Sequence, residues 1–284
     1  MKRIFAAMFI SLLITTNLYA AQSTITESEG YACMGEDKSK KQTEQAAMAD
    51  AKRKAVESVS TYIKSETHVK DFELEKDLVS AYANAAVKII QEFEKGWYKD
   101  ASAGDCYKIK IKAEIIPDEK EMERIAKSKQ ATDDPSGPLN INVWTDKKEY
   151  KNSEKIKVYI KGNKPFYARV VYKDADGKMV QLLPNPYRNN NYFNGGAVYE
   201  IPSGGDRFEL EVSPPFGSEG IIVYASSSQV GEIDLKPSGG VYEIKTKAKD
   251  IGDKTRGVVI TEKGADKKTP SEFSEATVDV KTGK

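Results

Sequence analysis

Along the 284-residue chain the spacing of apolar positions changes twice, and each change predicts a change of architecture. Between residues 43 and 63, Ala47, Ala51, Ala55, Val59 and Ile63 recur every fourth residue. Met48 and Tyr62 widen the stripe, while Lys52, Arg53, Lys54 and Glu57 lie off it, which predicts an amphipathic helix. The small side chains in the stripe imply close approach to another surface. A second helix is predicted over residues 74–93, with Leu78, Ala81, Tyr82, Ala85, Val87, Ile89 and Phe93 as apolar positions and Gly96 as its stop. After a turn at Gly104-Asp105, Tyr107, Ile109, Ile111 and Ala113 alternate with lysines, the pattern of a half-buried strand. With the strand-like Tyr31-Ala32-Cys33, these elements make a small α+β domain over residues 22–117: a strand, two helices and returning antiparallel strands.

Residues 118–137 combine a charged helical turn around 119–127 with a Pro/Gly/Ser/Asp-rich stretch and read as a linker. From Leu139 the period becomes two. Leu139, Ile141 and Val143 alternate with Asn140, Asn142 and Trp144, and Ile156, Val158 and Ile160 alternate with Lys155, Lys157, Tyr159 and Lys161. Phe208, Leu210 and Val212 repeat the pattern, and residues 168–172, 179–183, 197–201 and 220–225 supply further strands, the last apolar enough to be central. Asp176-Gly177 marks a hairpin. Short strands at this density, without helical periodicity, predict an all-β sandwich over residues 138–235. Residues 236–284 hold alternating pieces at 241–244 and 257–260 in a Lys/Gly/Thr-rich background and are expected to form a partly ordered extension.

The first twenty residues change the picture from architecture to location. Lys2 and Arg3, an apolar run over 4–14 and Leu18-Tyr19-Ala20 have the layout of a cleaved signal peptide, with the mature chain starting near Ala21. The run is shorter than the roughly 20 residues of a membrane span, and no stable membrane insertion is expected. Cleavage would remove Lys2 and Arg3 from the 44 basic residues and none of the 43 acidic ones, leaving a near-neutral chain. Such a chain has no global field to attract nucleic acid. Export also decides the reading of the two cysteines. Cys33 and Cys106 lie at the ends of strand-like stretches and are expected to pair as a disulfide clamp, since an oxidising compartment favours pairing and no Cys-X-X-Cys redox motif exists.

Candidate chemistry is sparse. The single histidine, His68, sits in a polar stretch with no nucleophile elbow or partner at informative spacing, so no catalytic residue is assigned. Asp174-Ala175-Asp176-Gly177 opens like a calcium loop but has Asn185 where the closing Glu belongs, and reads as a turn. No metal or cofactor site is expected. Gly195-Gly196 and Gly204-Gly205 precede strands and cannot cradle a phosphate on a helix N-terminus. Lys108, Lys110 and Lys112, like Lys155, Lys157 and Lys161, are read as solvent faces of strands. The most unusual segment is the loop over 183–196, with five asparagines, Tyr187, Arg188, Tyr192 and Phe193. These four residues are the candidate partner-binding set, because stacking faces and neutral hydrogen-bonding groups suit a protein or glycan. The competing reading has the aromatics plug one end of the sandwich.

An ordered series of short motifs carries a resemblance. Asp146-Lys147-Lys148-Glu149-Tyr150, Ile156-Lys157-Val158, Val170-Val171-Tyr172 before Asp176-Gly177, Leu182-Leu183-Pro184-Asn185, Ile201-Pro202 and Val212-Ser213-Pro214-Pro215-Phe216-Gly217-Ser218-Glu219 precede a final apolar strand. Residues 139–235 thereby resemble the domain of unknown function 4384 family. The first domain, with its alanine-striped helix and the closing strand from Cys106 to Ile115, resembles in pattern the N-terminal domain of the flagellar assembly protein T and related outer-membrane-associated proteins. The resemblance implies noncatalytic modules of the bacterial envelope and carries over no catalytic residue. The expectation is a periplasmic or outer-membrane-associated, noncatalytic protein that binds an envelope protein partner in an assembly. The alternatives are a carbohydrate- or peptidoglycan-binding protein and a hydrolase with dispersed carboxylates.

Overall fold

The computed structural model describes residues 21–67, 72–127, 133–256 and 270–284. The chain begins with β1 (Ala21–Cys33), α1 (Lys40–Thr67) and α2 (Phe72–Ala83). β2 (Ala86–Asp100), β3 (Gly104–Ile116) and α3 (Glu119–Lys127) follow. The alanine stripe does what its spacing predicts: Ala47, Ala51, Ala55, Val59 and Ile63 are all buried. α1 starts earlier than the stripe because Ser39 and Gln42 form a capping box. The Ser39 amide donates to Gln42 Oε1 at 2.8 Å and the Gln42 amide to Ser39 Oγ at 3.3 Å. The helix lies directly on β1, where Ser28 Oγ donates to the Ala51 carbonyl at 2.8 Å.

The second helix is shorter than expected. α2 ends at Ala83, and Val87, Ile89 and Phe93 belong to β2, which pairs antiparallel with β3 from Ala86↔Ile116 to Asp100↔Gly104. β-branched Val87, Ile89 and Ile90 are poor helix formers and good strand formers. Two irregularities, between Ile89 and Gln91 and between Glu92 and Glu94, shift the side-chain phase, so β2 shows no clean period of two in sequence. Cys33 stands opposite Cys106 in the β1–β3 register, and the expected disulfide joins them. Their separation of 73 residues corresponds to about 4 kcal/mol of loop-closure stabilisation in the chain-entropy account.

The remaining strands are β4 (Ile141–Thr145), β5 (Glu149–Lys151), β6 (Val158–Gly162), β7 (Phe166–Lys173), β8 (Met179–Leu183), β9 (Tyr192–Phe193), β10 (Val198–Ile201), β11 (Ser218–Ser226), β12 (Leu235–Ser238) and β13 (Val241–Ile244). They are followed by α4 (Ala248–Thr255) and β14 (Ser271–Gly283). The large sheet runs β12-β13-β8-β7-β11-β14-β1-β3-β2, with β5 pairing β14 and β9 pairing β7; β10-β6-β4 form a small second sheet. An α+β region thus leads into a largely antiparallel β region, as the periodicities predict. The segment around 207–212 is extended without joining a sheet: Ile156 N donates to Leu210 O and Val212 N to Glu154 O.

The expected extension from residue 236 is corrected by β14. This strand lies between β11 and β1 and pairs with both, so the last described segment splices the α+β region to the β region. Successive β14 side chains point to opposite faces. Ala276 and Val280 join the sandwich core with Phe166, Leu183 and Ile221, whereas Phe273 joins Ile25, Tyr224, Ile251 and Ile244 on the other face. At the seam Glu272, fully buried, accepts from the Leu139 amide at 2.6 Å, Lys164 Nζ at 3.0 Å and Tyr62 Oη at 3.1 Å. Three separate segments thereby satisfy one buried carboxylate. On the opposite face buried Glu114 of β3 takes Ser23 Oγ at 2.6 Å and lies 2.7 Å from Arg256 Nε, just beyond α4.

Candidate partner-binding surface

The loop between β8 and β9 is held by its asparagines. Buried Asn185 donates through Nδ2 to the Leu182 carbonyl at 2.7 Å, and its Oδ1 accepts the amides of Tyr187 and Arg188, each at 2.8 Å. Asn190 Oδ1 accepts the Tyr192 amide, and Asn191 Nδ2 donates to the Ala168 carbonyl at 3.1 Å. Short amide side chains satisfy the loop's own backbone in this way, the usual reason asparagine concentrates in turns. The loop is therefore ordered by local chemistry, which lowers the conformational entropy it would lose on binding.

The four candidate residues divide into two pairs. Phe193 is 1% exposed, stacked on Phe166 at 5.1 Å and met edge-on by Tyr199 at 5.0 Å. It is part of the core and cannot touch a partner, so the plug reading holds for this residue. Arg188 faces inward as well: Nη1 pairs with Asp206 Oδ2 at 3.0 Å and its guanidinium lies over Phe193 at 5.5 Å, tying the loop to the turn before Phe208. Tyr187 and Tyr192 remain outside, 53% and 42% exposed. Tyr187 is supported by Phe208 at 6.4 Å and by the hairpin at Gly240, where a Cβ would fall 2.7 Å from its hydroxyl; Tyr192 leans on Tyr167 at 5.1 Å.

A second aromatic surface was hidden in the strand alternation. Trp144 and Tyr159 occupy the outward phase of β4 and β6, face each other in the register and stack at 5.7 Å with planes 18° apart, Trp144 being 37% exposed beside exposed Asn142. Around them charges are paired: Lys157 with Glu200 at 2.6 Å and Lys161 with Asp133 at 2.8 Å. Aromatics at polar positions of two neighbouring strands were the available signal.

Other sequence candidates resolve into structure. Asp174 Oδ1 accepts the amides of Asp176 and Lys178, and Gly177 takes φ +81°, so this segment is the β7–β8 turn. Lys108 and Lys110 pair with Glu29 and Glu27 on the face of β3 away from α1, while Lys112, read as solvent-facing, is buried. His68, residues 1–20 and the strand-like 257–260 lie outside the described residues. Among the described residues no group of three or more His, Cys, Asp or Glu side chains is placed to hold a metal ion, and no helix is long and apolar enough to cross a membrane.

No curated protein and no solved structure matches the chain. Residues 149–229, which run from β5 through β11 and include the whole candidate loop, match the family model described as Domain of unknown function (DUF4384), so the C-terminal β region of this chain carries that domain.

Proposed function

We propose that this chain is a noncatalytic protein of the bacterial cell envelope, exported by its first twenty residues and acting in the periplasm or at the outer membrane as a protein-binding assembly module. The observation that supports this reading is the presentation of Tyr187 and Tyr192 from a loop whose backbone is already fixed by Asn185, Asn190 and Asn191. Exposed aromatics on a rigid support are the side chains that most often dominate interface energy. The test is a photocrosslinking residue placed at 187 or 192 in the native host. A discrete protein adduct from at least one position, missing from a control at exposed Lys236, is expected; folded protein that yields no adduct from either would overturn the reading.

A carbohydrate or peptidoglycan ligand is the alternative, favoured by the Trp144–Tyr159 stack beside Asn142. It predicts co-sedimentation with purified peptidoglycan sacculi that Trp144→Ala abolishes.

A further inference from the structure

Arg169 of β7 is a buried cation, 5% exposed, with which no carboxylate among the described residues is paired. Burial pulls its guanidinium down to about 10. Each of its three nitrogens donates to a neutral acceptor, and the three acceptors come from three separate segments. Nε donates to Gln181 Oε1 at 2.8 Å, Nη1 to Thr255 Oγ1 at 2.7 Å and Nη2 to the Gly231 carbonyl at 2.8 Å. Gln181 passes the connection onward, since its Nε2 donates to the Pro184 carbonyl at 2.7 Å, where the candidate loop begins. Thr255 ends α4, and its carbonyl accepts the Gly231 amide at 2.7 Å. One uninterrupted chain of hydrogen bonds therefore runs from the end of α4, through a buried charge, to the loop that presents Tyr187 and Tyr192.

We propose that Arg169 is a positioning residue that makes the conformation of the 184–193 loop depend on the docking of α4. A buried charged donor left without an acceptor costs more than a lost neutral hydrogen bond. If α4 departs, the guanidinium must find another acceptor, and the one it shares with the loop, Gln181, is the group that moves. Displacing α4 would then release the loop, and fixing the loop would hold α4. The coupling itself is a property of the free chain; its consequence for partner binding rests on the reading of the loop as a contact surface.

Hydrogen exchange on the full chain, with no partner present, tests it. Thr255→Val removes the acceptor while keeping the shape of the side chain, and should speed exchange of the Arg188 and Ala168 amides, which bond within or to the loop, by on the order of tenfold. The same substitution in an Arg169→Met background should leave those two amides unchanged relative to Arg169→Met alone, because the buried charge is gone. Faster exchange confined to α4, or equal acceleration in both backgrounds, would overturn the proposal. Should Thr255→Val fail to fold, Gln181→Met breaks the chain from the loop side. Coupling is reciprocal, so exchange in α4 should then rise, and unchanged exchange there would overturn it equally. Failure of photocrosslinking at 187 and 192 would leave this outcome untouched.

Discussion

A methyl group added at Gly30 of β1 would fall 2.0 Å from the carbonyl of Ala47 in α1, whereas one added at Gly220 of β11 would meet nothing closer than 3.7 Å. The two glycines stand in one sheet, Gly30 under α1 and Gly220 on the face of β11 turned away from the small second sheet, and the halves around them exclude water differently. In the helix-covered half, small residues let backbone approach backbone: Ala47 and Ala51 sit over Gly30, and Ser28 bonds to the Ala51 carbonyl. In the sandwich half, large side chains fill the space between two sheets, with Phe166, Leu183, Phe193 and Ile160 fully buried. The first kind of packing cannot accept added volume, since the obstructing atoms are backbone. The second cannot lose volume without leaving a cavity. What unites the halves is β14, which carries hydrogen bonds to both.

The largest expected effect comes from removing that splice. Deleting residues 271–284 should leave neither half with its native spectrum at 25 °C, read by far-ultraviolet circular dichroism. A truncated chain in which the α+β half still unfolds cooperatively would break the comparison into two independent domains.

Volume changes sharpen the contrast between halves. Phe193→Ala in the sandwich should cost about 3–5 kcal/mol in denaturant unfolding, against about 1 kcal/mol or less for the adjacent, exposed Tyr192→Ala. In the other half Gly30→Ala should cost about 3 kcal/mol, because neither Ala47 O nor Ala51 N can rotate away, while Gly220→Ala should stay within about 0.5 kcal/mol. Equal costs at the two glycines would show that α1 can lift from β1 cheaply.

The alanine stripe of α1, the alternation in β4 and β6 and the alternate Tyr107, Ile109, Ile111 and Ala113 of β3 were readable because the apolar residues each element buries recur at one fixed period, and β11 because its apolar run is nearly continuous. β14 was not readable for the opposite reason. Its face toward the seam carries Glu272 and Ser274, polar residues buried by partners far away in sequence: Lys164, Tyr62 and Leu139 for the first, the Ile141 amide for the second. A hydrophobic pattern cannot announce a strand whose buried positions are satisfied by hydrogen bonds. β2 escaped because two bulges change its phase. Within the candidate loop the composition singled out a segment rich in asparagines and aromatics, but not which of its residues face out. Arg188 was fixed by Asp206, eighteen residues away, and Phe193 by Phe166, and neither distance is visible in the chain order.

The smallest expected effect is electrostatic and also lies at the seam. Burial holds the Glu275 carboxyl above its ordinary range, with Arg256 opposing the shift and Glu114 and Asp253 adding to it. The folded chain then binds this proton more tightly than the unfolded chain. Its favourable contribution is present below the ordinary carboxylate range and is lost as pH rises through the folded value. Glu275→Gln should therefore be more favourable to stability at pH 7 than at pH 4, by about 1 kcal/mol or less. The reverse order would mean that the Arg256 contact at 3.7 Å outweighs burial.

The chain's two tryptophans report on one half each: Trp97 packs on Tyr107 beneath the helices, and Trp144 stacks on Tyr159 in the small sheet. Equilibrium unfolding followed by fluorescence in Trp97→Phe and in Trp144→Phe, with circular dichroism as the common reference, asks whether β14 makes the halves one cooperative unit. A single midpoint shared by fluorescence and dichroism within each variant is the expected result; a fluorescence transition that departs from the dichroism, with the two tryptophans reporting different midpoints, would contradict it.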